Sequence, residues 1–251
     1  MLRRVFPRTG WEVGVIGLGT WGIGGQWGPV EKDDALRAIE TAIDCGVNFI
    51  DTADAYGEPA GTSERLLAEV IRGRRDRLII ATKVGNFARR HGHPLPYTHW
   101  LHVDLCCDAS LNRMKTDYID LYQCHLPNCE DPTVFLEAFD RLIDAGKIRA
   151  FGISTDRLDV AELFDRDERC AAVQLEYSYL NRSAESALLP YCADRGIGTI
   201  IRGPLAKGVA AGKYTKDTVF TDDVRRHWNN GEARQVLHRQ IETVERVATV
   251  A

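Results

Sequence analysis

Val13-Gly14-Val15-Ile16-Gly17-Leu18-Gly19-Thr20-Trp21-Gly22 joins an apolar run to a G-x-G-x-x-G stretch at residues 17–22, and the glycines continue through Gly24, Gly25 and Gly28 to Pro29. In an open doubly wound sheet that motif begins a helix whose N-terminus faces a diphosphate. Here no helix is expected before Asp33, because glycine and proline hold the segment out of helical conformation. The stretch therefore reads as a strand followed by a long glycine-rich loop. That suits the first strand of a barrel better than a dinucleotide-binding turn.

Outward from this loop, short apolar runs alternate with segments of helical spacing. Residues 13–18, 47–50, 78–81, 118–122, 148–153, 171–175 and 197–201 read as buried strands. Residues 33–45, 62–72, 98–114, 132–145, 156–164, 184–194 and 231–248 read as helices; in the first, Leu36, Ile39, Ala42 and Ile43 share one face. Gly46, Gly73, Gly146 and Gly196 stand between helix and strand, where a positive φ is wanted. Repeated strand–helix units with near-continuous apolar strands imply a parallel sheet covered by helices. The expectation is one α/β domain over residues 1–251: a (β/α)8 TIM-like barrel, incomplete at its C-terminal end because only seven strands are readable.

Composition narrows the function classes. The chain has 251 residues, 44% hydrophobic and 27% charged, with a net charge of -4. It offers no basic field for nucleic acid and no apolar run of membrane-spanning length. The seven cysteines are odd in number and scattered, which reads as reduced thiols in a cytoplasmic location.

In a parallel barrel the chemistry sits at the C-terminal ends of the strands. The second strand runs into Phe49-Ile50-Asp51-Thr52-Ala53-Asp54-Ala55-Tyr56-Gly57, the third into Ala81-Thr82-Lys83, and the fourth into Tyr122-Gln123-Cys124-His125. Asp51, Tyr56, Lys83 and His125 are thus expected at one mouth. An ammonium beside a phenol stabilises the phenolate, an aspartate keeps that ammonium charged, and a histidine can orient a substrate oxygen. Such a group can deliver a proton to a carbonyl oxygen. Trp21, Trp27, Phe87 and Trp100 are expected to form an aromatic, uncharged substrate wall. The histidine-rich segment 91–102 reads as a loop over the mouth, and no metal site is expected.

FIDTADAYG at 49–57, ATKVG at 81–85, IDLYQCHLP at 119–127, GIST at 152–155, VQLEYSYLNR at 173–182 and PLAKG…GKY at 204–214 together resemble the aldo-keto reductases. The resemblance implies a (β/α)8 barrel that reduces a small carbonyl compound with NADPH, NADH being left open. It places the catalytic tetrad on Asp51, Tyr56, Lys83 and His125, with Tyr56 as proton donor. It also implies that cofactor is held by Gly19, Thr20 and Trp21 of the first loop, by Ser154, Thr155 and Gln174, and by Arg202, Gly203, Leu205 and Lys207. Thr155 replaces the asparagine that the family usually carries, and Arg202 an aromatic ring. The family's eighth strand and adenosine-phosphate segment would follow residue 251. Two other uses of the tetrad stay open, a redox-independent lyase or isomerase and a cofactor-sensing regulatory subunit, as does assembly into a homo-oligomer.

Overall fold

A short antiparallel hairpin, β1 (Arg3–Phe6) and β2 (Trp11–Gly14), precedes the main sheet. The sheet then follows the chain: β3 (Leu18–Gly19), β4 (Phe49–Asp51), β5 (Ile79–Val84), β6 (Ile119–Cys124), β7 (Ile148–Ser154), β8 (Ala172–Glu176) and β9 (Gly198–Arg202), every neighbouring pair parallel. Between them run α1 (Lys32–Asp44), α2 (Thr62–Ile71), α3 (Phe87–Arg90), α4 (Trp100–Met114), α5 (Thr133–Asp144), α6 (Leu158–Phe164) and α7 (Leu188–Arg195), and α8 (Gly231–Ala248) comes last. This computed structural model describes residues 1–249. Strand order 3 to 9 without a crossover is that of a (β/α)8 barrel, here with seven strands. Among the described residues β3 and β9 are the two ends of the sheet, and no helix is long and apolar enough to cross a membrane.

Two apolar layers hold the sheet. Outside it, α1, α2, α4, α5 and α6 bury Ile39, Leu67, Met114, Phe139, Leu142 and Phe164 against Ile80, Ile119, Phe151 and Val173. Inside it, Ala81, Leu121, Ala150 and Ala172 are mostly small, because Phe6 of the hairpin is inserted among them and stacks on Phe49 at 6.2 Å. Gly152 lets β7 approach β8, since a Cβ there would lie 2.6 Å from the Ala172 carbonyl oxygen. The four glycines between helix and strand all carry positive φ, from 63° at Gly196 to 92° at Gly46.

The run at 13–18 is not one strand. Its first two residues belong to the hairpin, where Asn48 accepts from the Gly14 amide and donates to the Glu12 carbonyl, both at 2.8 Å. Val15 and Ile16 are exposed, and only Leu18 and Gly19 pair with β4. A hydrophobic run on an edge next to a hairpin divides between two partners, which periodicity alone does not reveal. The segment 184–194 is likewise divided, into a 3-10 turn at Ser183–Ser186 and the shorter α7.

Past β9 the chain leaves the sheet. A 3-10 turn at Ala206–Ala211, another at Arg226–Asn229 and α8 enclose a separate small core of Val209, Phe220, Leu237, Ile241 and Val244.

Candidate active site

The glycine-rich loop after β3 fixes the turn after β4. A Cβ at Gly24 would lie 2.4 Å from the Gly57 Cα and 2.6 Å from Ser63 Oγ, so only glycine allows the two loops to touch. The Gln26 side chain accepts from the Gly57 amide at 2.9 Å, and the Glu58 amide donates to the Gly24 carbonyl at 2.8 Å. Below them the Thr20 amide donates to the Asp51 carbonyl at 2.9 Å and Ser63 Oγ to the Thr20 carbonyl at 3.0 Å. The non-helical glycine stretch therefore has a structural task, holding Tyr56 over the end of the sheet.

Lys83 is fully buried, and its Nζ reaches both Asp51 oxygens at 2.8 and 2.7 Å, the Thr52 carbonyl at 2.9 Å and Tyr56 Oη at 3.3 Å. Asp51 also accepts from Gln174 Nε2 at 2.8 Å and Gln123 Nε2 at 3.4 Å. Pairwise register puts Lys83 opposite Gln123 and Ser154 opposite Gln174. The His125 ring stands edge-on to Tyr56 at 5.9 Å, and Trp21 stacks on the other side of Tyr56 at 6.0 Å. The four residues expected from the sequence thus meet in one cluster.

Burial acts to lower the Lys83 pKa, but the carboxylate of Asp51 and the Tyr56 oxygen outweigh it and keep the ammonium protonated. Burial also pushes the Tyr56 phenol above its ordinary value, against the pull of Lys83. The sequence led us to expect a net lowering of this phenol by Lys83. Burial is the main reason for the difference, and the Asp51 charge adds to it by opposing the ammonium's. Burial, reinforced by the charges of Lys83 and Arg202, takes His125 down to about 3, so its imidazole is neutral near pH 7.

A cavity of about 1660 Å3 contains this cluster and extends along the C-terminal loops. Asp51, Tyr56 and His125 line it, as do Gly19, Trp21, Ser154, Gln174, Arg202, Gly203, Leu205 and Lys207. Thr20 and Thr155 do not: Thr20 is buried beneath the loop, and Thr155 Oγ1 donates to the Pro127 carbonyl at 2.7 Å. The Gln174 amide nitrogen is committed to Asp51, which leaves its carbonyl oxygen for a ligand. Arg202 is held by Asp156 and, at 3.2 Å, by Glu176.

The wall is aromatic, though of the four expected rings only Trp21 and Trp27 belong to it, beside Phe6, Phe49, Tyr56, Tyr214 and Trp228, and it is not uncharged as the sequence suggested. Trp21 and Trp27 line it, packed edge to face at 5.0 Å. Phe87 instead lies against His91 and Arg113, and Trp100 against His99 and Arg141. Arg89, Arg90, Lys213 and Arg225 add charge to the wall. These cations sit on short helices and loops, whose facing has no periodic signature in the sequence.

Sequence reasoning missed a buried polar layer beneath the site. Glu64, fully buried, accepts from Thr82 Oγ1 at 2.7 Å and from Arg113 Nε at 2.6 Å. Asp54 lies beside it with no well-formed hydrogen bond to either oxygen, the Gly85 and Ala55 amides only approaching. Burial and the Glu64 charge raise the Asp54 carboxyl to about 7, opposed by Arg113. One signal was available: an acidic residue inside the apolar face of α2.

The sequence matches the aldo/keto reductase family over residues 15–251. It is 38% identical over 232 residues to the aldo-keto reductase YhdN of Bacillus subtilis, covering 87% of this chain and 67% of that protein. Among solved structures, the holo form of an aldo-keto reductase from Bacillus halodurans superposes with a TM-score of 0.78 at 26% identity, over 98% of this chain and 89% of that one. An aldo/keto reductase from Klebsiella pneumoniae in complex with NADP and acetate gives 0.69 at 30% identity, over 90% and 75%. With the family match spanning nearly the whole sequence and the tetrad assembled at the sheet's C-terminal end, the chain belongs to the aldo/keto reductase family.

Proposed function

We propose that this chain is an NADPH-dependent oxidoreductase that reduces an aldehyde or ketone to an alcohol, with Tyr56 as the proton donor. The observation that carries the reading is the Lys83 ammonium, held between Asp51 and Tyr56 with no exposure to solvent. The solved relative from Klebsiella pneumoniae supports the choice of cofactor, since it holds NADP.

The cavity wall fits such a group. Gly203, Ala206, Lys207 and Gly208 all have positive φ and form a tight turn closed by the Ala206 and Gly208 amides on the Gly203 and Leu205 carbonyls, both at 2.8 Å, which sets Lys207 on the cavity wall as a cation for a diphosphate. Ser154 and the Gln174 carbonyl oxygen line the neighbouring wall, suited to a carboxamide. NADPH, when bound, supplies hydride to the carbonyl carbon.

The side chains supply the proton and the geometry. A carbonyl oxygen seated between Tyr56 Oη and His125 accepts a hydrogen bond from each, the neutral imidazole orienting it without adding charge. The Tyr56 proton passes to the developing alkoxide, and the phenolate left behind is stabilised by Lys83 at 3.3 Å. Asp51 keeps Lys83 protonated and aimed at Tyr56. Trp21, stacked on Tyr56, covers one side of the donor from water.

Tyr56→Phe removes the proton and keeps the ring. Reduction of a simple aldehyde should fall on the order of 10²- to 10⁴-fold. NADPH binding, followed by tryptophan fluorescence, should stay within a factor of about two, since the ring's packing is kept. Turnover within a few-fold of the parent chain would contradict Tyr56 as donor.

A further inference from the structure

We infer that the carbonyl substrate carries an anionic group, a carboxylate or a phosphate, which pairs with Arg89 at the rim of the cavity. This rests on the reductase reading above and names its substrate class.

The chain is net negative at -4, yet the cavity wall carries six cations and two carboxylates, Asp51 and Glu176. Five of the cations have partners or lie on the side assigned to the cofactor. Arg90 pairs with Glu58 at 2.7 Å, Arg202 with Asp156 and Glu176, and Arg225 with Asp222 at 2.9 Å. Lys207 and Lys213 lie over the rings of Trp228 and Tyr214, at 5.6 and 5.4 Å, on the segment that follows Gly203. Arg89 differs. Among the described residues no carboxylate lies within ion-pair distance of it and no aromatic ring beneath it.

Its position separates it from the diphosphate side. Arg89 is on α3, directly after β5, the strand that carries Lys83, whereas Gly203 follows β9, four strands further round the sheet. Asn86, Tyr56 and His125 line the same cavity. An anion brought there meets little repulsion: the imidazole is neutral, the phenol keeps its proton, and the Asp51 charge is met by Lys83. A guanidinium offers paired N–H donors to a planar carboxylate or a phosphate, which a neutral substrate would leave unused.

The test compares matched substrates on the 251-residue chain with NADPH: 4-carboxybenzaldehyde against benzaldehyde, and glyceraldehyde 3-phosphate against glyceraldehyde. The first pair reports a carboxylate site, the second a phosphate site. The parent chain should favour the anionic member of at least one pair by roughly fivefold or more in kcat/KM, carried by KM. Arg89→Ala should bring that ratio close to one, and Arg89→Lys should restore part of it. A parent ratio near one in both pairs, or a preference that survives Arg89→Ala, overturns the proposal. Binding of 4-carboxybenzyl alcohol against benzyl alcohol, and of glycerol 3-phosphate against glycerol, read from tryptophan fluorescence, decides the question without turnover. Absence of reduction with every aldehyde therefore defeats only the reductase reading, while equal binding within both alcohol pairs by the parent chain, or a binding preference that survives Arg89→Ala, defeats this one.

Discussion

An ammonium with no water around it survives only if its surroundings replace the lost hydration. Lys83 has that replacement in four oxygens, from Asp51, Thr52 and Tyr56. Asp54, a few residues along the same turn, has the opposite fate: buried, beside Glu64 and poorly hydrogen-bonded, it favours its neutral form up to about 7. The sign of the consequence follows directly. Below the ordinary aspartate pKa of about 4 both folded and unfolded chains hold the proton. As pH rises from there, the unfolded chain ionises while the folded chain does not, so stability falls until about pH 7 and then levels off. Asp54→Asn keeps the shape and abolishes this loss. Its stability advantage over the parent should grow by roughly 2 kcal/mol between pH 5 and pH 8, read from urea melts at both pH values. A pH-independent difference would show that Asp54 is ionised in the folded chain. The tetrad could be found from sequence because each member ends a readable apolar strand or follows one. Asp54 could not, since its role depends on buried oxygens that lack partners, and Glu64 left only the signal of an acidic residue inside the apolar face of α2.

At the scale of elements, the glycine-rich loop and the turn carrying Tyr56 behave as one unit. Gly24→Ala places a methyl group 2.4 Å from the Gly57 Cα, where backbone must move rather than a flexible side-chain tip. The expected cost is about 1–3 kcal/mol, with a loss of aldehyde turnover larger than any loss of cofactor binding. Thermal melts and kinetics on the same variant check both parts; unchanged turnover would uncouple the loop from Tyr56. Here sequence reading succeeded for a physical reason. Glycine and proline exclude a helix regardless of tertiary context, so the segment had to be a loop. The hairpin was harder to read, because β2 and the exposed Val15 and Ile16 form one apolar run with the first sheet strand. Their separation depends on Asn48 and Phe6, residues distant in the sequence or outside the run. Of the cavity wall's cations, Arg89, Arg90, Lys213 and Arg225 were equally hidden, since loop facing has no period.

Across the whole molecule, the sheet order gives the cavity one open flank. β3 and β9 each pair on one side only among the described residues, and the cavity wall includes Val15 and Ile16, just ahead of β3, with Ile200 and Ile201 of β9. Val15 is 47% and Ile16 63% exposed, an apolar pair leading into the edge strand β3. Such an edge is a template for another strand. The 251-residue chain should therefore self-associate as its concentration rises, with apparent mass climbing in sedimentation velocity between low and high micromolar samples. Val15→Lys with Ile16→Lys puts two charges on that edge, where neither side chain contributes to the core, so folding should be retained while association is lost. NADPH sharpens the test, because the edges flank the cavity that would receive it: a ligand bridging the flank should shift the parent toward smaller species. A chain that stays monomeric at every concentration, or associates equally with both lysines in place, would mean that the two edges are closed to other chains.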